Sequence, residues 1–111
     1  MTLPFDQLVT EIHASPTRLV MALAGGGSRA ISGVLETPGA RHTLLEAIVP
    51  YSEGAMIQLL GGRPDQFCSA PTARAMAMAA FRRACCYDVS QQPVAGVACT
   101  ASLASDRPKR G

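Results

Sequence analysis

The residues best suited to chemistry in this sequence are two serines that stand beside glycine-rich or tyrosine-containing turns. Gly25-Gly26-Gly27 is followed directly by Ser28, and Tyr51-Ser52 opens a second segment. A serine that hydrolyses an amide needs a base that takes its proton and donors that stabilise the oxyanion. Amides of the glycine loop can supply the donors. Ser28 and Ser52 are therefore candidate nucleophiles, and Tyr51 is a third candidate catalytic residue.

A base for either serine is difficult to find in the sequence. Lys109 is the only lysine, and it lies far from both serines along the chain. The two histidines, His13 and His42, have no partner visible in sequence, and such histidines are typically surface or structural residues. Position 56, in the segment that follows Ser52, is a methionine, whose thioether cannot accept a proton. We expect Met56 to pack in the core, so the residue types favour a site without turnover.

Hydrophobic patterns predict the strands and helices that must position these residues. A continuous apolar run over residues 17–24 predicts a strand buried on both faces, and residues 44–50 and 94–99 predict two more strands. A first amphipathic helix is predicted after Thr2. Its apolar side is formed by Phe5, Leu8, Val9 and Ile12. Alternating strands and helices predict an α/β layered fold, with helices packed on a mostly parallel or mixed sheet.

Capping residues predict the ends of the other helices. Ser52 is expected to cap a helix that runs to residue 60 and closes at Gly61-Gly62, and Ser69 to cap the longest helix. The predicted apolar face of that longest helix is Ala73, Met76, Ala77, Ala80, Phe81 and Ala84. Pro38-Gly39 predicts a turn in which the glycine has a positive φ. A serine that opens a helix after glycines is also typically a cap, which is an alternative role for Ser28.

The order of these motifs resembles that of the CinA C-terminal domain family, the nicotinamide mononucleotide deamidases. In that family a Glu-Ser-Cys-Thr-Gly-Gly loop precedes a Pro-Gly turn and a Tyr-Ser-Asn-x-x-Lys segment. The resemblance implies that the loop serine is the nucleophile and that the lysine activates it. Tyr51 and Ser52 match here, whereas the lysine position is Met56 and the serine position falls on Ala24 or Gly25.

The resemblance implies a single domain over residues 1–111 that lacks the last strand and helix of the family at its C-terminal end. The leading interpretation is a nicotinamide-nucleotide-amidohydrolase-like domain of NAD metabolism that has lost catalysis. Such a domain would serve as a nucleotide- or phosphate-binding module or as an association module. One alternative is an active amidohydrolase that uses Ser28 or Ser52. Another is a structural dimerisation module fused to a nucleotidyltransferase-like domain.

A retained ligand is expected where the three predicted strands end. Helix-start amides at that edge would offer donors to a phosphate, for example that of nicotinamide mononucleotide. The expected ligand-binding residues are Gly25, Gly26, Gly27, Ser28, Arg29, Tyr51, Thr100 and Ser102. The glycine loop matches neither the Walker loop nor the dinucleotide-binding fingerprint.

Composition argues against several other classes of protein. A net charge of +2 is too small to indicate nucleic-acid binding, and the basic cluster at residues 107–110 is typical of a solvated tail. The longest apolar stretch, residues 19–24, is too short to cross a membrane. No secretory signal begins the sequence, so we expect a cytoplasmic protein. A homo-oligomer is among the partners that the sequence leaves open.

The four cysteines do not form a recognisable metal motif. None has a Cys-x-x-Cys spacing or a histidine at ligand-pair distance in sequence, so no metal is expected. Cys85 and Cys86 are adjacent, and helical geometry would turn their side chains about 100° apart. No feature of the sequence calls for a cofactor.

Overall fold

The structure, a computed structural model, describes residues 4–87 and 90–101. The elements in chain order are helix α1 (Pro4–Ala14), strand β1 (Arg18–Ala24), helix α2 (Ser28–Glu36), a 3₁₀ turn (Ala40–His42), strand β2 (Leu44–Ile48), helix α3 (Glu53–Leu60), helix α4 (Ala70–Tyr87) and strand β3 (Val94–Thr100). The predicted cap Thr2 and the basic cluster at residues 107–110 lie outside the described residues. Within the described ranges, no helix has the length and apolar character that a membrane crossing requires.

The three strands form one parallel sheet in the order β2-β1-β3. The predicted α/β class is confirmed, and the sheet is all-parallel in the described part of the chain. β1 is the central strand, and Val20 to Ala24 are buried, as the continuous apolar run predicted.

Helices cover both faces of the sheet. Alternate residues of β1 enter two separate apolar clusters. One cluster joins Val20, Ala22 and Ala24 to Met56 of α3 and to Met76, Ala80 and Ala84 of α4. The other joins Met21 and Leu23 to Val9 of α1 and Val34 of α2. Two layers of helices around one sheet thus bury the central strand from Val20 to Ala24.

Helix α4 approaches β3 at a glycine. A Cβ atom at Gly96 would collide with the carbonyl oxygen of Ala77 and the backbone nitrogen of Phe81. The alanines at positions 80 and 84 are also fully buried, so small side chains allow this close contact. Phe81 was predicted on the buried face, but its side chain is 39% exposed, although its backbone lies against Gly96.

Helix α1 buries only part of the side that its apolar residues predicted. Val9 and His13 are buried, whereas Leu8 is exposed and Phe5 is partly exposed. A Cβ atom at Gly33 of α2 would collide with the ring of Phe5, so this ring packs against the bare backbone of α2. The helix itself was predicted correctly. Its buried face includes Val9, as predicted, but also His13 in place of Leu8.

The predicted caps Ser52 and Ser69 and the predicted turn at Gly39 are confirmed. The hydroxyl oxygen of Ser52 accepts a hydrogen bond from the amide of Ala55 at 3.1 Å, and α3 ends at Gly61 with a φ of 80°. Ser69 precedes α4, and its oxygen accepts from the amide of Thr72 at 3.2 Å. Gly39 has a φ of 104°, as the Pro38-Gly39 pair predicted.

His13 connects the ends of three elements at the amino edge of the sheet. Its Nε2 lies 3.0 Å from the carbonyl oxygen of Val34, and its Nδ1 lies 2.7 Å from the hydroxyl oxygen of Thr43. In a helix that carbonyl would accept from the amide four residues later, but residue 38 is a proline and has no N–H. Because a carbonyl oxygen only accepts, Nε2 donates to Val34, and Nδ1 and the hydroxyl of Thr43 form the second hydrogen bond. The backbone oxygen of Thr43 in turn accepts from Leu19 at the start of β1.

We predict that His13→Ala destabilises the fold by about 2–4 kcal/mol, since it leaves a buried carbonyl and a buried hydroxyl without their partner. Urea unfolding measures this loss. The exposed His42 provides the matched control, and His42→Ala should change the free energy of unfolding by less than about 0.5 kcal/mol. Equal stabilities of the two variants would contradict the structural role of His13.

An ion pair joins the edge strand β2 to α4. A bulge in β2 leaves Leu45 between the pairs Leu19 with Leu44 and Val20 with Glu46. The carboxylate of Glu46 therefore reaches the α4 side of the sheet, where both its oxygens accept from Arg83 at 2.7 Å. This hydrogen bond lowers the pKa of Glu46 below its ordinary value, partial burial opposes the shift, and the charge of Arg83 adds to it.

The lowered pKa predicts a pH-dependent contribution of this pair to stability. The contribution is fully present above the unfolded value of about 4.3 and is lost as the pH falls through the lower folded pKa. At pH 7 we expect Glu46→Gln to cost about 1 kcal/mol, because solvent screens the partly exposed pair. The difference from wild type should shrink towards pH 3 in thermal or urea unfolding. Glu53→Gln is the control and should lower the free energy of unfolding by less, because its ion pair with Arg63 is exposed. If the stability difference between Glu46→Gln and the wild type did not change with pH, the explanation would be refuted.

Candidate functional site

The predicted ligand-binding segments lie at one edge of the sheet. All three strands are parallel, so the glycine loop after β1, Tyr51 after β2 and Ala101 after β3 leave the sheet at its carboxyl edge. The glycine loop and the exit of β3 are direct neighbours, because the amide of Ala101 donates to the carbonyl oxygen of Ala24 at 3.0 Å. Ser102, which was also predicted to bind the ligand, lies outside the described residues.

The glycine loop has a conformation that other residues would adopt only with strain. Gly25 and Gly27 have φ values of 78° and 86°. A Cβ atom at Gly25 would also collide with the carbonyl oxygen of Ala101, whereas at Gly27 it would lie 3.4 Å from the side chain of Leu23. Gly25 is therefore required twice, by its φ and by the close approach of the chain that follows β3.

Helix α2 begins directly after this loop without a side-chain cap. Gly27 is the capping residue and makes no side-chain hydrogen bond, so the alternative role of Ser28 as a cap is wrong. Ser28 is instead the first residue of the helix, and both Ser28 and Arg29 are exposed. The start of α2 thus presents first-turn amides, a hydroxyl and a guanidinium to solvent at the carboxyl edge, a combination that attracts anions.

The segment after β2 places a tyrosine on the surface. Tyr51 is 81% exposed, which makes it the most exposed of the large apolar or aromatic side chains in the described residues. Ser52 beside it is occupied as the cap of α3, where its oxygen accepts from Ala55. A hydroxyl fixed in this way retains its proton for a ligand, but among the described residues neither a histidine nor a lysine lies beside it.

Thr100 is engaged by a loop from elsewhere in the chain. Its hydroxyl donates to the carbonyl oxygen of Phe67 at 2.9 Å, and the thiol of Cys68 lies 3.9 Å from its carbonyl oxygen. The loop between α3 and α4 therefore crosses to the carboxyl end of β3. No local signal in the sequence predicts this contact, because the partners are about thirty residues apart. Thr100 consequently helps to hold the edge together rather than offering a free hydroxyl.

Histidine and lysine side chains, which could act as a base, are absent from this edge in the described part of the chain. His13 and His42 lie at the amino edge, one bound to Val34 and Thr43 and the other in the 3₁₀ turn before β2. Seven residues of extended β1 separate the two edges by about 20 Å. Met56 is 3% exposed and packs in the cluster of β1, α3 and α4, as predicted. Lys109 lies outside the described residues.

The surface next to the edge carries a concavity that the sequence did not predict. It has a volume of about 690 Å³, and the loop from α3 and the first turns of α4 line it. The polar hydroxyls in its wall are already used, since Thr72 donates to the carbonyl oxygen of Gln66 and Ser69 donates to Thr72. Arg63 in the same wall pairs with Glu53 and lies over the ring of Phe67. Within residues 4–87 and 90–101, no group of three or more His, Cys, Asp or Glu residues is placed to bind a metal.

The strand order identifies where on the carboxyl edge a ligand fits. In the order β2-β1-β3 the chain moves from β1 to one neighbour and later returns to the other side of β1, so the order reverses between β1 and β3. Open α/β sheets bind ligands in the crevice at such a switch point, outside the carboxyl ends of the strands. The glycine loop and Ala101 lie at this point. In comparisons with models of known protein families, with characterised proteins and with solved structures, no match to this chain was found.

A graded series of alanine substitutions tests the geometry of the loop. Gly25→Ala should cost the most, because a positive φ alone costs about 1–2 kcal/mol and the collision with Ala101 adds to it. Gly27→Ala should cost about 1–2 kcal/mol. Gly62→Ala is the control, since no atom lies within 4 Å of its added Cβ, and it should be nearly neutral. Urea unfolding of the three variants gives the order, and a Gly25→Ala protein as stable as the control would show that the loop differs from this description.

Proposed function

We propose that this chain is a CinA-like domain, related in architecture to nicotinamide mononucleotide deamidases, that has lost catalysis and binds a phosphate-bearing small molecule. The binding site is the carboxyl edge at the switch point between β1 and β3. Nicotinamide mononucleotide is the leading ligand, because the order of the motifs in this sequence resembles their order in that family.

One observation carries this proposal. The uncapped start of α2 stands directly after two glycines with positive φ, at the point where the strand order reverses. Backbone amides at a helix start donate to phosphate oxygens and add the positive end of the helix dipole. Arg29 is the nearest described cation along the chain and can add a charge-assisted hydrogen bond. The coincidence of these features at one place supports a binding site.

The proposed loss of catalysis follows from the placement of the reacting groups. Ser28 is exposed but has no histidine or lysine near it in the described residues, and Ser52 is bound to Ala55. Without a base, a serine hydroxyl is a poor nucleophile. The buried Met56 also means that a lysine at this position would enter an apolar cluster, where its charge would be strongly unfavourable. The alternative of an active amidohydrolase therefore lacks support in the arrangement.

Affinity for a mononucleotide should be weak. The start of α2 offers amides and one arginine, Arg29, while the basic cluster that includes Lys109 lies elsewhere in the sequence. We expect a dissociation constant in the millimolar to high-micromolar range for such a set of contacts. This range corresponds to a binding free energy of about −4 to −6 kcal/mol. Weak binding of this kind is measurable by NMR.

We predict that nicotinamide mononucleotide shifts the amide signals of residues 25–29 and of Ala101 when it is titrated into the protein. Arg29→Gln should weaken binding several-fold, because it removes the charge-assisted contact. Arg82→Gln is the matched control, since Arg82 is exposed in the last turns of α4, the end that precedes the amino end of β3. Its affinity should equal that of the wild type.

The same samples test the loss of catalysis. Nicotinamide mononucleotide incubated with the wild-type protein should be recovered unchanged, and Ser28→Ala should behave identically. Conversion to the nicotinate form that disappears in Ser28→Ala would establish the enzyme alternative. Shifts confined to other surfaces, or no shift at millimolar ligand, would refute the proposed binding site.

A further inference from the structure

Half of the backbone groups of β3 point away from the sheet. Arg18 donates to the carbonyl oxygen of Pro93 at 2.8 Å, and Ala101 donates to Ala24 at 3.0 Å, so odd-numbered residues of β3 face β1. Backbone groups of successive residues in a strand alternate in direction. The N–H and C=O groups of Val94, Gly96 and Ala98 therefore point outward. Among the described residues, β3 pairs with β1 alone.

The two edge strands of the sheet differ in how they resist pairing with another chain. β2 carries a bulge and the charged Glu46, and Pro50 follows it closely. Bulges, charges and prolines are the usual means by which edge strands are protected. β3 reads Val-Ala-Gly-Val-Ala-Cys-Thr, with no charge and no proline, and its pairing with β1 is regular over all seven residues. β3 therefore has the character of an interior strand, although it lies at an edge.

Apolar side chains border this edge above and below the sheet. Val97 is 41% exposed, and it shares its face of β3 with Cys99, which packs with the cluster of α1 and α2. On the opposite face Phe81 is 39% exposed, and its backbone lies against Gly96. A strand placed beside β3 would cover both side chains and satisfy the outward backbone groups at the same time.

The sequence of residues 102–111 does not suit this position. It contains Asp106, Arg107, Pro108, Lys109 and Arg110, and charged residues and proline are depleted in strands. A neutral, apolar edge is complemented best by another neutral, apolar edge, and β3 itself is such a strand. Two identical strands can pair antiparallel about a twofold axis, which is the commonest symmetry of protein dimers.

We propose that β3 pairs antiparallel with β3 of a second copy of this chain, which joins the two sheets into one continuous six-stranded sheet. Gly96 is the middle one of the three outward residues, so the twofold axis passes beside it. Val94 then lies opposite Ala98 of the second copy. The carbonyl of Thr100 is already approached by Cys68, which favours this register over one that is shifted towards the strand end. The bulged and charged β2 strands then form the two outer edges of the assembly.

The test is the molar mass of the protein in solution, measured by size-exclusion chromatography with light scattering at about 10 to 500 μM. The wild type should be a dimer at the upper concentrations. Val97→Lys should be a monomer, because it places a charge beside the paired edge, and circular dichroism verifies that it is folded. Val49→Lys is the matched control: Val49 is an exposed valine just after β2, and this variant should dimerise as the wild type does. A monomeric wild type, a dimeric Val97→Lys or a larger assembly would overturn the proposal.

Hydrogen exchange supplies a readout that does not depend on how well a variant folds. In the dimer the amides of Val94, Gly96 and Ala98 are hydrogen-bonded across the axis, so in the wild type they should exchange at least tenfold more slowly at 500 μM than at 10 μM. The amide of Ala101, which bonds within the chain, should show no such dependence. Equal exchange rates of the three outward amides at both concentrations would refute the pairing, whatever the result of the ligand titration.

Discussion

The structure depends on β1 as a strand that is buried on both faces and paired on both sides. Its even-numbered residues from Val20 to Ala24 pack against α3 and α4, and its odd-numbered residues pack against α1 and α2. Burying both faces requires helices above and below, and parallel neighbours require crossover connections through those helices. These requirements bring all three strand exits to one edge, where the glycine loop lies. A polar side chain in β1 would therefore disturb one core or the other, depending on its position in the strand.

The two edges of the sheet have different roles. At the amino edge, His13 joins α1, the last turn of α2 and the start of β2 through two buried hydrogen bonds. At the carboxyl edge, Ser28, Arg29 and Tyr51 are exposed, and the first turn of α2 has no side-chain cap. Stability is therefore concentrated at one edge, and groups that can bind an anion are concentrated at the other. Both histidines lie at the amino edge, and this separation leaves the exposed Ser28 without a histidine beside it.

Local signals in the sequence predicted the strands, the caps Ser52 and Ser69 and the turn at Gly39, because a few neighbouring residues determine each of these features. Contacts between distant residues were not predictable, as the pairs of Glu46 with Arg83 and of Thr100 with Phe67 show. Apolar spacing also predicted that Leu8 and Phe81 would be buried, but periodicity identifies a helix face without indicating what covers it. For the candidate site, the glycine loop and its place at the carboxyl edge followed from the sequence. The close approach of Ala101 to Gly25 could not be predicted, because it depends on how two distant segments pack. The switch point could not be predicted either, because it depends on the order of the strands in the sheet.

We propose that the start of α2, at the switch point, holds the phosphate of a bound nucleotide. A crystal structure of the protein grown with nicotinamide mononucleotide at several millimolar tests it most directly. We expect phosphate density within hydrogen-bond distance of the first-turn amides of Ser28 and Arg29. The rest of the nucleotide should lie towards Tyr51 or Ala101. Nucleotide bound in the concavity between α3 and α4, or a phosphate held by other groups, would contradict the claim.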